Sequence, residues 1–143
     1  MFKGAESPYD PEMPYTLGGS QRAKTNKETF FNKRAQMYWT LRDRFEATYR
    51  AVVKGQYINP EELISLSSDI ENIQQLRSEV CRIPLKRANS GKIQILSKVE
   101  MAKKPYSIPS SNMGDALMMS MHSPKIKTVK PVEINFTGWK QYG

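Results

Sequence analysis

The hydrophobic positions of this chain fall into one long helical stripe, two shorter ones and a short alternating stretch. Ala35, Tyr38, Leu41, Phe45, Tyr49 and Val52 recur every three or four residues, with Arg42, Asp43, Arg44, Glu46 and Arg50 between them. That is the period of an amphipathic helix with one apolar face. Ahead of it, Thr25-Asn26-Lys27-Glu28 has the form of a capping box. Behind it, Lys54-Gly55 supplies a glycine suited to the left-handed C-terminal cap. The helix is predicted to start between Asn26 and Lys33 and to stop at Gly55. Tyr38, Trp39 and Phe45 are assigned to its core face, because aromatic residues at helical spacing pack inward more often than they stack on bases.

Asn59-Pro60-Glu61-Glu62 offers a cap, a proline at the first helical position and acids in the first turn, so a short helix is expected there. Ser68-Asp69-Ile70-Glu71 has the form of a second capping box. It leads into Ile70, Ile73, Leu76 and Val80 at helical spacing, and Pro84 ends that helix. Residues 82–98 read as a hairpin turning at Ala88-Asn89-Ser90-Gly91. Residues 1–24 carry Pro8, Pro11, Pro14, Gly18 and Gly19 and read as an irregular lead-in with one short extended piece. Pro105 and Pro109 frame a loop before a last helix at Asp115, and residues 124–143 form a basic C-terminal tail that alternates weakly. The expected class is α/β: a small sheet or hairpin packed with one long amphipathic helix and two or more shorter ones, in a single unit over 25–123.

Composition narrows the chemistry. With 143 residues, 38% of them hydrophobic, and nine prolines, one core is all the chain supports. A net charge of +8 points to an acidic partner, with nucleic acid the first choice. The single cysteine, Cys81, excludes an intrachain disulfide and is expected as a small core residue. His122 has no ligand-type neighbour at metal spacing, which argues against zinc. Met113, Met118, Met119 and Met121 read as adaptable core packing. Gly18-Gly19-Ser20 is a turn, since no phosphate-loop pattern occurs. No run approaches the length of a membrane span and no signal pattern opens the chain, so a soluble, cytoplasmic protein is expected.

Two features bear on function. Residues 110–117 place Asp115 at the head of Ala116-Leu117-Met118-Met119. A carboxylate there either caps a helix through its free amides and dipole or serves as a divalent-metal ligand, and the residues alone leave both readings open. Residues 82–104 hold seven Lys and Arg against one Glu. This run is either a phosphate-backbone contact surface or a solvated sheet face.

Several blocks, in order, resemble the C-terminal nuclease domain of the large subunit of phage terminases. Asn32-Lys33-Arg34-Ala35-Gln36, with Trp39, Leu41, Arg42, Asp43 and Phe45, resembles the family's N-K-R-A-[EQ] helix. Residues 58–63 and 73–76 resemble its "I…eL…eL" stretch. Gly91-Lys92-Ile93-Gln94-Ile95 with Lys98, Glu100, Met101 and Lys103 resembles its "G-K-I-x-I…K-x-x-M-K" segment. Ser110-Ser111-Asn112-Met113-Gly114-Asp115-Ala116-Leu117 resembles "S-P-[DN]-x-A-D-A-[LVF]", with Ser111 in place of the proline and Gly114 in place of the alanine. The resemblance runs over residues 15–121.

The resemblance implies a partial ribonuclease H-like fold, a Mg2+ or Mn2+ cluster, and cutting of concatemeric viral DNA during genome packaging in the host cytoplasm. Asp115 would be the last carboxylate of the family's acidic triad, both catalytic and metal-binding. The other two lie upstream in the family, together with an ATPase, and nothing in the setting of Glu6, Asp10 or Glu12 matches them. The expectation is a C-terminal part of a nuclease domain, with weak or no activity alone. Double-stranded DNA would be bound through Lys86, Arg87, Lys92, Lys98, Lys103 and Lys104. Further expected partners are the upstream terminase portion, the small terminase subunit, the portal and a second copy of the chain. Two rival readings are a non-catalytic DNA- or protein-binding module on the same scaffold and an unrelated basic phage structural protein.

Overall fold

The computed structural model describes residues 3–15, 24–86 and 89–122. The Thr25 box forms, but it caps a helix of a single turn, α1 (Asn26–Thr29). The Thr25 hydroxyl accepts from the Glu28 amide at 3.3 Å, and the Glu28 carboxylate accepts from the Thr25 amide at 2.9 Å. Phe30, fully buried, then runs extended and pairs in parallel with Ile93: the Phe31 amide donates to Ile93 O and the Ile93 amide to Thr29 O. Only after that break does the long helix α2 (Lys33–Lys54) begin, under its own cap, with Asn32 Oδ1 accepting from the Ala35 amide at 2.9 Å. It ends at Gly55 in the left-handed conformation, φ 63°, where any side chain would be strained.

At 1.5 Å per residue α2 is roughly 33 Å long, and burial along its apolar stripe falls off after Leu41. Ala35, Met37, Tyr38 and Leu41 are buried, while Phe45, Tyr49 and Val52 are 36%, 54% and 77% exposed. The stripe is therefore continuous in sequence but buried only where α5 and β2 reach it. Trp39 is half-buried and outside the central cluster, so of the three aromatic residues assigned to the core only Tyr38 belongs to it.

The chain after α2 is clipped back onto it by polar groups. Arg44 donates to the carbonyls of Glu61 and Leu63, and the Thr48 hydroxyl accepts from the Ile64 amide at 2.9 Å. The Pro60 signal produces one 3-10 turn (Pro60–Glu62). The expected box at Ser68 does not open a helix. Ser67 Oγ accepts from the Asp69 amide, a local turn that competes with helix formation. α3 (Ile73–Cys81) starts after Asn72, which sits in the left-handed region at φ 59° without a side-chain cap bond. Cys81, the last residue of α3, is exposed rather than in the core.

The hairpin is present but short: β1 (Leu85–Lys86) pairs antiparallel with β2 (Gln94–Ile95), Leu85 facing Ile95 and Lys86 facing Gln94. α4 (Lys98–Ala102) carries a capping box between Ser97 and Glu100. α5 (Asn112–Ser120) follows. Ala35, Met37, Tyr38, Leu41, Ile64, Ile95 and Met118 form the central cluster. Burial of each large member contributes about 1.5–3 kcal/mol. Of the four methionines read as packing, Met118 is buried, Met113 and Met121 are half-buried and Met119 is 39% exposed. His122 stacks on Tyr9 at 3.9 Å, tying the lead-in to the end of α5. No helix among the described residues is long and apolar enough to cross a membrane. The tail from residue 123 onward lies outside the described residues.

Candidate functional site

Asp115 is the fourth residue of α5, and its side chain is 12% exposed at the edge of the core. No side chain of its own segment caps α5, because Ser111 makes no such bond. The cap comes from α3, where Glu79 accepts from the Gly114 amide at 2.9 Å. Burial raises the Glu79 carboxyl, but the bonds from Gly114 and Gln75 outweigh it and hold its pKa below the ordinary value. Asp115 takes no part in that cap, and its oxygens meet side chains of α2 and α4.

Three side chains meet it. The Tyr38 hydroxyl donates to Asp115 Oδ1 at 2.5 Å, inside the core. Arg34, one turn earlier on α2, donates to the Leu96 carbonyl at 2.8 Å and lies 3.5 Å from Oδ1, its guanidinium 5.0 Å from the Tyr38 ring centre. Lys98, the first residue of α4, places Nζ 2.6 Å from Oδ2 and 3.2 Å from Asn112 Oδ1. Burial and then the Asp115 hydrogen bond push the Tyr38 phenol well above its ordinary pKa, so it remains a donor. One carboxylate therefore joins α2, α4 and α5. It opens onto a cavity of about 530 Å³ lined by Asn32, Arg34, Gln94, Lys98, Glu100 and Asn112, among others.

Of the predicted DNA-contacting lysines, Lys98 lines this cavity. Lys86, on β1, is ion-paired with Glu100. That bond, with those from Ser97, holds the Glu100 carboxyl at about 2. Lys103 and Lys104 are exposed just past α4 and line a second cavity, about 560 Å³, with Lys86, Glu100 and Tyr106. Glu100 borders both cavities, with Lys98 in the first lining and Lys103 and Lys104 in the second, at opposite ends of α4, a helix roughly 7 Å long. Around the two cavities stand five cationic side chains and two carboxylates. Lys92 is half-buried at the hairpin, away from either lining. Arg87 lies outside the described residues.

A two-ion nuclease centre needs several carboxylates around a pair of cations. Among the described residues no three acidic, histidine or cysteine side chains cluster in this way. Both Asp115 oxygens are already engaged by a phenol and two cations. The residues present therefore do not fit such a centre by themselves. The role of Tyr38 was not legible as more than core, although its spacing four residues after Arg34 puts both on one face of α2. Glu79 carried no local signal, since its partner lies 35 residues away.

No family model matches the chain, and no curated protein matches it. Among solved structures, the nuclease domain of the large terminase subunit gp2 of bacterial virus Sf6 is 43% identical. It covers 87% of this chain and 53% of its own, with a TM-score of 0.78. A lysine-to-alanine mutant of the same large-subunit protein, with calcium, is 43% identical over 87% of this chain and 52% of its own, with a TM-score of 0.78. A corresponding mutant nuclease domain with manganese gives 43% identity, 87% and 53% coverage and a TM-score of 0.77. The chain thus spans about half the length of these relatives. Identity and fold agree with the motif order in the sequence, and on both the chain corresponds to part of the nuclease domain of a phage terminase large subunit, with a partial ribonuclease H-like fold.

Proposed function

We propose that this chain contributes Asp115 to a divalent-metal phosphodiesterase centre and a basic ledge to the path of duplex DNA, within a nuclease that cuts viral DNA during packaging. The observation that carries the reading is the placement of Asp115 at the mouth of a cavity bordered by cations, in a chain 43% identical to a terminase nuclease domain. The remaining carboxylates would come from the rest of such a domain, and Mg2+ or Mn2+ would be held jointly by them and Asp115. Calcium and manganese in the related structures support divalent-ion use.

This chain's own residues have definable tasks. Tyr38 and Arg34 fix Oδ1 against the scaffold, so the orientation of the carboxylate is set by α2. Lys98 neutralises Oδ2 on the cavity side. Lys86, Lys98, Lys103 and Lys104 supply sequence-independent attraction for phosphates. The upstream portion of the terminase, the small subunit, the portal and a second copy of the chain are the partners such a role implies, and the host cytoplasm is its setting. The cation-saturated state of Asp115 favours one alternative, a DNA-binding module that has kept the scaffold without the chemistry.

A cleavage assay decides between them. The chain is mixed with the remaining half of a terminase nuclease domain, Mn2+ and supercoiled plasmid. Nicking that requires both polypeptides and is lost in Asp115→Asn is expected. Anisotropy with a short duplex should show affinity falling steeply with salt, and Lys103→Ala with Lys104→Ala should flatten the log–log slope by about 2. Cutting that survives Asp115→Asn refutes the catalytic role, and salt-independent binding refutes the ledge.

A further inference from the structure

The exposed half of the α2 stripe borders a second surface that Asp115 and the basic ledge do not use. A groove of about 450 Å³ runs between α2 and α3, with a floor of Phe45, Leu66, Leu76 and Val80 and with Ile73 and Cys81 along its side. Its lining is almost wholly apolar, and its only charged members are Arg42 and Arg77 at the rim. Ile73 is 38% exposed, and along α2 the apolar face continues past Phe45 to Tyr49 and Val52. None of the groove's lining residues borders the Asp115 cavity. The groove continues the exposed apolar face of α2, and exposed apolar side chains gathered beside a polar rim favour the seating of another chain.

We propose that this groove seats an acidic amphipathic helix of another polypeptide, whose apolar side chains fill the floor and whose carboxylates meet Arg42 and Arg77. Charge selects this occupant. Arg77 is exposed and forms no ion pair among the described residues. Arg42 already bridges Asp43 and Glu46, so its outer face offers a weaker second contact. A second copy of the chain is disfavoured. In a two-fold contact through this groove the same arginines would approach each other, between molecules that each carry +8. A helix laid in a groove presents anchors at i, i+3, i+4 and i+7, the spacing an elongated apolar floor between two helices accepts. The inference does not depend on Asp115 or on metal.

Cys81, the chain's only cysteine and exposed in the groove wall, is a built-in reporter. The experiment measures its alkylation rate in the full chain. The probe is a synthetic helical peptide of about 14 residues, four turns, with Leu at the anchor spacing and Glu on its flanks. A control peptide carries Lys in place of Glu. The acidic peptide should protect Cys81 and the basic one should not. Arg77→Glu, at an exposed position that leaves the fold intact, should weaken protection by the acidic peptide by up to about fivefold and favour the basic one. Phe45→Ala should weaken protection by the acidic peptide. Equal protection by the two peptides, or no effect of Arg77→Glu, overturns the proposal. Protection that grows with protein concentration alone assigns the groove to a second copy. Protection by the remaining half of a terminase nuclease domain assigns it to that half, and either result overturns the acidic-helix reading while leaving the nuclease reading intact.

Discussion

Replacing Tyr38 by phenylalanine tests the cluster on which the site reading rests. The substitution removes one oxygen and leaves the ring in a nearly full core. The Tyr38 hydroxyl donates at 2.5 Å to a carboxylate whose residue is 9% exposed, and Tyr38 itself is 7% exposed. Hydrogen bonds to a charged, buried acceptor contribute about 1.5–3 kcal/mol, with the upper part of that range reached when the acceptor is left short of partners. Here Oδ1 retains Arg34 at 3.5 Å and Oδ2 retains Lys98 at 2.6 Å, so compensation is partial and about 2 kcal/mol is expected. For a domain of this size that corresponds to a Tm lowered by roughly 6–12 °C. Urea unfolding followed by far-ultraviolet circular dichroism gives the loss, and a cycle with Asp115→Ala isolates the pair. A coupling energy of about 1–2 kcal/mol is expected, with Tyr38→Phe nearly silent once Asp115 is gone. A loss below about 0.5 kcal/mol, or additive single losses, would mean that the contact does not order the carboxylate, and the assignment of Tyr38 as its anchor would fall.

Two further outcomes follow from the contacts around this cluster. The Glu100 carboxyl, held at about 2 first by Lys86 and then by Ser97, lies below its unfolded value of about 4.3. Its stabilising contribution is therefore complete above that unfolded value and is lost as pH falls through 2. Lys86→Met should move the Glu100 titration, followed by carboxyl NMR, upward toward the ordinary value, and an unmoved titration rules out the ion pair as its cause. Glu79→Ala removes the cap that α3 supplies to α5 and should cost about 1 kcal/mol. The Gly114 amide should then exchange with solvent faster than in the parent, and an unchanged rate there would show that the cap is not Glu79.

What could be read along the chain was whatever depends on neighbours within a turn or two. The Thr25 box, the Gly55 stop and the hairpin pairing are short-range preferences that persist in the folded molecule. The misreadings have two causes. Ser68-Asp69-Ile70-Glu71 satisfied the cap pattern, yet local side-chain bonds drew it into a turn and helix α3 began four residues later, after a left-handed Asn72. Trp39 and Phe45 sat at helical spacing and Cys81 among apolar neighbours, yet all three proved partly or largely exposed, because an apolar pattern identifies a face without identifying what covers it.

By itself the sequence determined the long helix, the hairpin pairing, the order of the family's motifs and the presence of a carboxylate at the head of the last helix. These rest on backbone preference and on residue identity, which need no long-range contact. The surroundings of that carboxylate were decided by tertiary structure alone. Tyr38 lies 77 residues from Asp115 and Glu79 lies 35 residues from the amide it caps, so no local pattern ties them together. Folding brings α2, α3 and α4 onto α5. With its helix capped by another residue and its oxygens held by a phenol, a guanidinium and an ammonium, Asp115 passes from a helix-start acid to the centre of a charged cluster at a cavity mouth.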